Sequence, residues 1–252
     1  MADDATSTPA PPNRPWDALG YDERFGFVAR GGAALIDLLD PQPGERVLDL
    51  GCGTGELTAD LVARGAEVVA LDSDPAMVAT ARERLGADVT VVQADGHAFD
   101  VGTFDAMFSN AALHWMTRPD DVWACIRRSV RAGGRVVAEQ GGVGNVHDTL
   151  AALDAARSDL GLAPVATRPW SFPSPGEHAM RLERHGFVVR MVALFDRPSP
   201  LEHSADGLAD WGRMFGRPWV DDVPADAWPE FVARVRHHGA ALERADGVAV
   251  AD

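Results

Sequence analysis

The stretch RVLDLGCGTGEL, Arg46 to Leu57, restricts what this chain can fold into more than any other part of it. Val47, Leu48 and Leu50 make a short apolar run, bounded by Pro43-Gly44 before and by glycine after, which is the pattern of a strand buried on both faces. Leu57, Leu61 and Val62 then fall on one face of a helix that Gly65 stops. The glycines therefore sit at a strand-to-helix turn, and in a doubly wound sheet that turn is where a ligand meets a helix N-terminus. Glycine permits positive φ there and brings backbone N–H groups within reach of a ligand. Spacing narrows the choice of ligand. A dinucleotide loop reads G-x-G-x-x-G, whereas Gly51, Gly53 and Gly55 follow G-x-G-x-G, with Asp49 two residues ahead. By itself the triplet is equally compatible with an ordinary tight turn.

The rest of the chain supplies the context. After the turn, AEVVALDSDPAMVATARERLG gives a strand from Glu67 to Leu71 and a helix capped by Asp74, opened by Pro75 and closed by Gly86. Strands follow from Asp88 to Gln93 and from Phe104 to Phe108. A helix with Val122, Cys125, Ile126 and Val130 inward precedes a fifth strand in GRVVAEQ. Strands and helices alternating at this pitch predict an α/β fold, a doubly wound, mostly parallel Rossmann-like sheet, whose crossovers bring the loops after the strands to one edge. Beyond Gln140 the pattern loosens into helices at 146–160 and 176–185, a proline-rich run at 164–175, a sixth strand in GFVVRMVALF, and amphipathic helices around Trp211 and Trp228. These last helices either cap the site or complete the sheet's apolar cover.

Composition removes other classes. A length of 252 residues holds one elaborated domain or two small ones. The net charge of −15 and pI near 4.8 disfavour nucleic acid as a partner. All 23 basic residues are arginine, so an arginine by itself marks no site. Cys52 and Cys125 form no framework or C-x-x-C pair, which suits a reducing, cytoplasmic setting. The acidic, proline-rich start is neither a signal peptide nor a membrane span, and no later run reaches transmembrane length. The histidines show no metal-ligand spacing with a carboxylate, and RHHG reads as a helix end.

Four features fall on four consecutive strand ends: the glycine turn, Asp72, Asp95-Gly96 and Asn110. Together with WDALGYDERFGFV, VLDLGCGTGELT, FSNAALHW, VAEQGGVGNV and FDRPSPL, they make the chain from about Trp16 onward resemble the class I S-adenosylmethionine-dependent methyltransferases, and more narrowly the trans-aconitate 2-methyltransferase-related group. The likeness is specific for cofactor and fold and poorly specific for substrate. It implies that Gly51 to Gly55 hold the methionine part of S-adenosylmethionine, with Asp49 near its ammonium and sulfonium. Asp72, with Ser73 beside it, would take the ribose hydroxyls, Asp95 and Gly96 the adenine, and Met77 one adenine face. Asn110 and Ala111 would line the pocket near the sulfonium. Tyr21 would meet the cofactor carboxylate or else anchor a surface helix. The domain reading that follows is an N-terminal disordered arm (1–15), a cofactor-binding core with its cover helix (16–145), and the remaining strands with a helical substrate cap (146–252). In relatives a longer antiparallel strand ends the fold; here DGVAVAD stands where that strand begins, so a stub or a truncated chain is expected, with an exposed sheet edge beside the sixth strand.

The implied reaction is methyl transfer to a small-molecule acceptor, with S-adenosylhomocysteine as the second product. A carboxylate acceptor needs no base, whereas a phenol, alcohol or carbon acid does, and His114 beside Trp115 is the candidate; otherwise His114 only shapes the pocket. An acidic acceptor would need a cation, for which Arg213 and Arg217 are the candidates. The competing readings are a cofactor-binding module without catalysis, or one completed by a partner chain, and a nicotinamide dehydrogenase, which the glycine spacing weakens. Oligomeric state is not legible.

Overall fold

β1 (Arg46–Leu50) forms where the apolar run lies, with Val47 through Leu50 all buried. A strand buried on both faces must lie inside a parallel sheet. β2 (Glu67–Asp72) and β4 (Phe104–Asn110) flank it, β3 (Thr90–Gln93) lies outside β2, and β5 (Val130–Glu139) lies outside β4. All four ladders are parallel, in the order β3-β2-β1-β4-β5. Leu50 pairs with Leu71 on one side and Asp49 with Phe108 on the other, so the strands end level and their following loops open on one edge. This computed structural model describes residues 27–201, 206–244 and 248–251. Tyr21 and the N-terminal arm lie outside the described residues.

The helices that flank the sheet are α1 (Phe27–Leu39), α2 (Glu56–Ala63), α3 (Pro75–Leu85) and α4 (Pro119–Ser129). α3 starts as its sequence dictates: Asp74 accepts from the N–H groups of Ala76 and Met77, and Pro75 opens the first turn. Two details differ from the pattern reading. On α2 it is Thr58, not Val62, that turns inward beside Leu57 and Leu61, because its hydroxyl finds a buried carboxylate in Asp49 at 2.6 Å. α4 stops at Ser129, and Val130 already pairs with Phe104; Arg131 to Gly134 then break the register before Arg135 pairs with Ala106.

A second layer gathers α5 (His147–Asp159), α7 (Leu208–Met214), α8 (Arg217–Val220) and α9 (Trp228–His238), whereas α6 (Pro175–Arg184) packs back on α4, with Leu182 against the sheet's core, His178 edge-on to Trp123 and Arg181 beside Asp120. Leu153, Trp170, Trp211, Trp219 and Phe231 make the heart of a separate core, with Trp115 from the sheet edge packed against it. Arg157 is buried inside this layer. Its guanidinium grips both oxygens of Asp222 and donates to the carbonyls of Trp219 at 2.8 Å and Ala163 at 2.6 Å. Truncation leaves two carbonyls without donors, each worth roughly 1–3 kcal/mol. Arg157→Ala is therefore expected to lower stability by about 2–4 kcal/mol and the melting temperature by roughly 5–15 °C. A thermal melt unchanged within about 2 °C would show that water satisfies those carbonyls at no cost.

The expected sixth strand in GFVVRMVALF does not form: residues 187–197 carry no ladder. Instead β6 (Ser199–Pro200) pairs antiparallel with β7 (Val250–Ala251), two residues each. The reason is the lack of a neighbour. A cavity separates the outer edge of β5 from residues 186–199, so Val188, Met191, Leu194 and Phe195 stay exposed, Phe195 at 60%. The short final strand agrees with expectation; the exposed edge, expected beside the sixth strand, is instead that of β5, because no sixth strand forms to cover it. Among the described residues no helix is long and apolar enough to cross a membrane.

Candidate active site

The three glycines of the turn after β1 are all left-handed, with φ of 77° at Gly51, 54° at Gly53 and 82° at Gly55. Gly51 is required by packing: a Cβ there would lie 2.2 Å from the Cβ of Ala112. Gly53 is different, because a Cβ there would meet nothing within 4 Å. Its backbone lies bare along a cavity of about 2840 Å³ that runs from this turn past the ends of β2, β3 and β4 to β5 and residues 186–199.

Asp72 closes β2 against the turn. One of its oxygens accepts from the Gly53 N–H and the other from the Asp74 N–H, both at 2.9 Å. Each oxygen keeps a second lone pair, so the carboxylate can still take the two donors of a vicinal diol. Burial pushes the Asp72 carboxyl upward, and the backbone N–H groups oppose that push. Asp49 lies beneath and does not reach the cavity wall. Burial, reinforced by the charge of Asp72, pushes it up to about 7 against the Thr58 hydroxyl bond. No basic side chain bonds either acid among the described residues. Two buried carboxyls held this way favour a cation over a phosphate.

At the end of β3, Asp95 accepts from the His97 N–H at 2.9 Å and from its ring nitrogen Nδ1 at 2.6 Å. Burial raises the Asp95 carboxyl, but these contacts and Arg118 outweigh it and hold the group below the usual range. Gly96 is roofed by Met116, whose sulfur would lie 2.7 Å from a Cβ at that position. Ser73, Met77 and Asn110 join the same wall. Ala111, next in line, takes φ 53° without being glycine, held by its N–H bond to the Glu139 carbonyl at 2.9 Å. Strain of this kind costs of order 1–3 kcal/mol and persists only where the surroundings fix it. Of the residues singled out from sequence, Gly51, Gly53, Asp72, Ser73, Met77, Asp95, Gly96, Asn110 and Ala111 line one cavity; Gly55 instead packs against Leu85 and Ala81.

The cavity continues onto an aromatic wall. His114 sits in a 3₁₀ turn, Leu113–Trp115, with Trp115 and Phe172 each 5.6 Å from its ring centre. Trp170 stacks on Phe172 and on Trp219. The Ser171 N–H donates to the His114 carbonyl at 2.8 Å, and the Gly141 N–H donates to the ring nitrogen Nδ1 at 3.1 Å. Burial pushes the imidazole down to about 4, a basicity poorly matched to proton abstraction at neutral pH. Arg213 and Arg217 also line the cavity, but neither charge is spare. Arg213 bonds Asp210 and lies 3.7 Å over the Trp228 ring; Arg217 pairs with Asp221. Sequence reasoning did not single out Thr58, Met116, Trp170 or Phe172. The last two stood in RPWSFP, aromatic residues inside a proline-rich run that was otherwise featureless.

The methyltransferase domain family matches residues 48–138, from β1 to β5. Over 228 residues the chain is 31% identical to an uncharacterized methyltransferase of Schizosaccharomyces pombe, covering 86% of this chain and 85% of the other. It is 32% identical over 230 residues to the trans-aconitate 2-methyltransferase of Methylobacterium nodulans, covering 87% and 86%. Among solved structures, phosphoethanolamine N-methyltransferase 2 of Haemonchus contortus in complex with S-adenosyl-L-methionine superposes with a TM-score of 0.57 at 19% identity, over 92% of this chain and 54% of that one; that likeness concerns the fold. Kinship of this extent, with the sheet order and the glycine turn already in place, means that the chain belongs to the class I S-adenosylmethionine-dependent methyltransferases.

Proposed function

We propose that this methyltransferase acts on a small-molecule carboxylic acid, with the methyl donor held by the residues at the ends of β1 to β4. The observation that carries the reading is the continuity of one cavity from the glycine turn to the wall of His114, Trp115, Trp170 and Phe172. The site fits the cofactor chemically. Gly53 offers bare backbone, Asp72 retains two acceptor positions, and Asp49 with Asp72 favours the positive charge that S-adenosylmethionine brings. In the proposed assignment Asp72 and Ser73 take the ribose, Asp95, Gly96, Met77 and Met116 the adenine, and Asn110 and Ala111 the region of the sulfonium. When bound, that sulfonium supplies an electrophilic methyl group; the protein's part is to align it with the acceptor. For the acceptor's charge we assign Arg168, in place of Arg213 and Arg217. Arg168 lines the cavity and has no hydrogen bond or ion pair to the described residues.

The relative from Methylobacterium nodulans acts by name on trans-aconitate, which makes that acid the first acceptor to try. Calorimetric titration is expected to give micromolar binding of S-adenosylmethionine and S-adenosylhomocysteine and none of NADH. Radiolabelled methyl transfer to trans-aconitate and a panel of other di- and tricarboxylic acids should then yield base-labile methyl esters. Transfer only to amines or phenols would overturn the acid reading, and tight NADH binding would overturn the cofactor assignment.

A further inference from the structure

We infer that His114 binds the acceptor as a hydrogen-bond donor, fixed in the tautomer that carries its proton on Nε2, and that the enzyme therefore selects acceptors whose oxygen is already anionic. The inference rests on the proposed acceptor side of the cavity. Its support is geometric. A backbone amide can only donate, so the 3.1 Å contact from the Gly141 N–H requires a lone pair on Nδ1. A neutral imidazole with its lone pair on Nδ1 has its hydrogen on Nε2. Nε2 bonds to no described residue and is not sealed from the cavity that the ring lines. The ring itself is held in place by Trp115 and Phe172, and its backbone is tied to Ser171.

The consequence is a division between two kinds of chemistry. To take a proton from an acceptor, Nε2 would need the lone pair, and the hydrogen would have to move to Nδ1, facing the Gly141 N–H donor to donor. Gly141 lies two residues beyond Glu139, the last residue of β5, with Phe172 and Asn145 close about it, so relieving that clash means moving packed loop backbone. A donor at Nε2 instead attracts a carboxylate oxygen, which accepts a methyl group without losing a proton. The depressed basicity of the ring agrees with a permanently neutral donor.

Two substitutions separate the halves of the imidazole. His114→Asn keeps an acceptor near the Nδ1 position for Gly141 and presents nothing at Nε2. His114→Gln places an amide donor near the Nε2 position and gives up the Gly141 bond. With trans-aconitate or whichever acid of the panel is methylated, His114→Asn is expected to lose about 10- to 100-fold in kcat/KM, mainly through KM, the range of one hydrogen bond to a charged group. His114→Gln should retain more activity than His114→Asn despite a lower melting temperature, and both should bind S-adenosylhomocysteine as the wild type does. Equal losses in the two variants, or an unchanged His114→Asn, would overturn the donor role. Long-range ¹H–¹⁵N correlation of the His114 ring at pH 7.5 reads the tautomer without any acceptor. A proton on Nδ1 would overturn the inference even if acids are methylated, whereas a proton on Nε2 with no acid methylated would strike the functional reading alone.

Discussion

Asp72→Ala is expected to weaken S-adenosylmethionine binding by at least about 100-fold, because in the proposed assignment the ribose loses two hydrogen bonds to a charged acceptor, each worth roughly 1.5–3 kcal/mol. The side chain also accepts from Gly53 and Asp74, so alanine loosens the glycine turn itself. Asp72→Asn separates the contributions: one carbonyl oxygen remains, and an intermediate affinity is expected. Calorimetry on the three proteins, with circular dichroism to confirm folding, checks the result. A variant whose affinity stayed within about threefold of wild type would remove Asp72 from the ribose assignment, since less than 1 kcal/mol would then be at stake.

Asp49→Asn should act in opposite directions on stability and on binding. Asp49 is held up to about 7 in the folded chain, by burial first and the charge of Asp72 second. An ordinary carboxyl in the unfolded chain titrates near 4. Between these values the folded state binds the extra proton, so stability falls as pH rises from about 4 to about 7 and stays reduced above. A shift of this size corresponds to about 3–4 kcal/mol at pH 8, which a neutral asparagine avoids. The cofactor-free variant is therefore expected to melt higher than wild type at pH 8 and about equally at pH 4.5. Binding runs the other way. Wild-type affinity for S-adenosylmethionine should climb as pH rises through 7, as the carboxylate forms, with proton release on binding. The variant loses a charge that acts on the cofactor through space, so it should bind more weakly at pH 8, by about 10-fold, and show no such climb. Melting curves and calorimetry in buffers of different ionisation enthalpy test both halves, and a wild-type affinity flat from pH 6 to 8 would contradict the role given to Asp49.

The parts that could be read from sequence were those governed by local rules. The run at Val47 to Leu50, the glycines after it, and the Asp74-Pro75 start each state their structure within a few residues, and the structure follows them. The parallel, doubly wound sheet came from alternation of strands and helices, which leaves few arrangements, while the strand order itself emerged only from the ladders. What was missed depends on partners distant in sequence. GFVVRMVALF has the composition of a strand, yet residues 187–197 have no neighbour with which to form one. Thr58 turned inward because Asp49, nine residues away, offered an acceptor. The charges of Arg213 and Arg217 were legible and their neutralisation by Asp210 and Asp221 was not, since it depends on rotamers. The state of His114 followed from one amide of Gly141, which no pattern in the sequence announces.

The open flank of β5 places an unusual burden on the net charge. Sheet edges are ordinarily guarded by lysine, proline or a covering element. This chain has no lysine anywhere, and the β5 arginines Arg131 and Arg135 are drawn aside to Asp105 and Glu45. Mutual repulsion between bodies carrying −15 each opposes the docking of one molecule's edge on another's. Such repulsion acts over about 10 Å at 0.1 M salt and only about 3 Å at 1 M. The colloidal behaviour of the protein is therefore expected to follow the ionic atmosphere as much as the fold: dilute buffer should keep it dispersed, and concentrated salt or a pH near its isoelectric point should favour association at the bare edges.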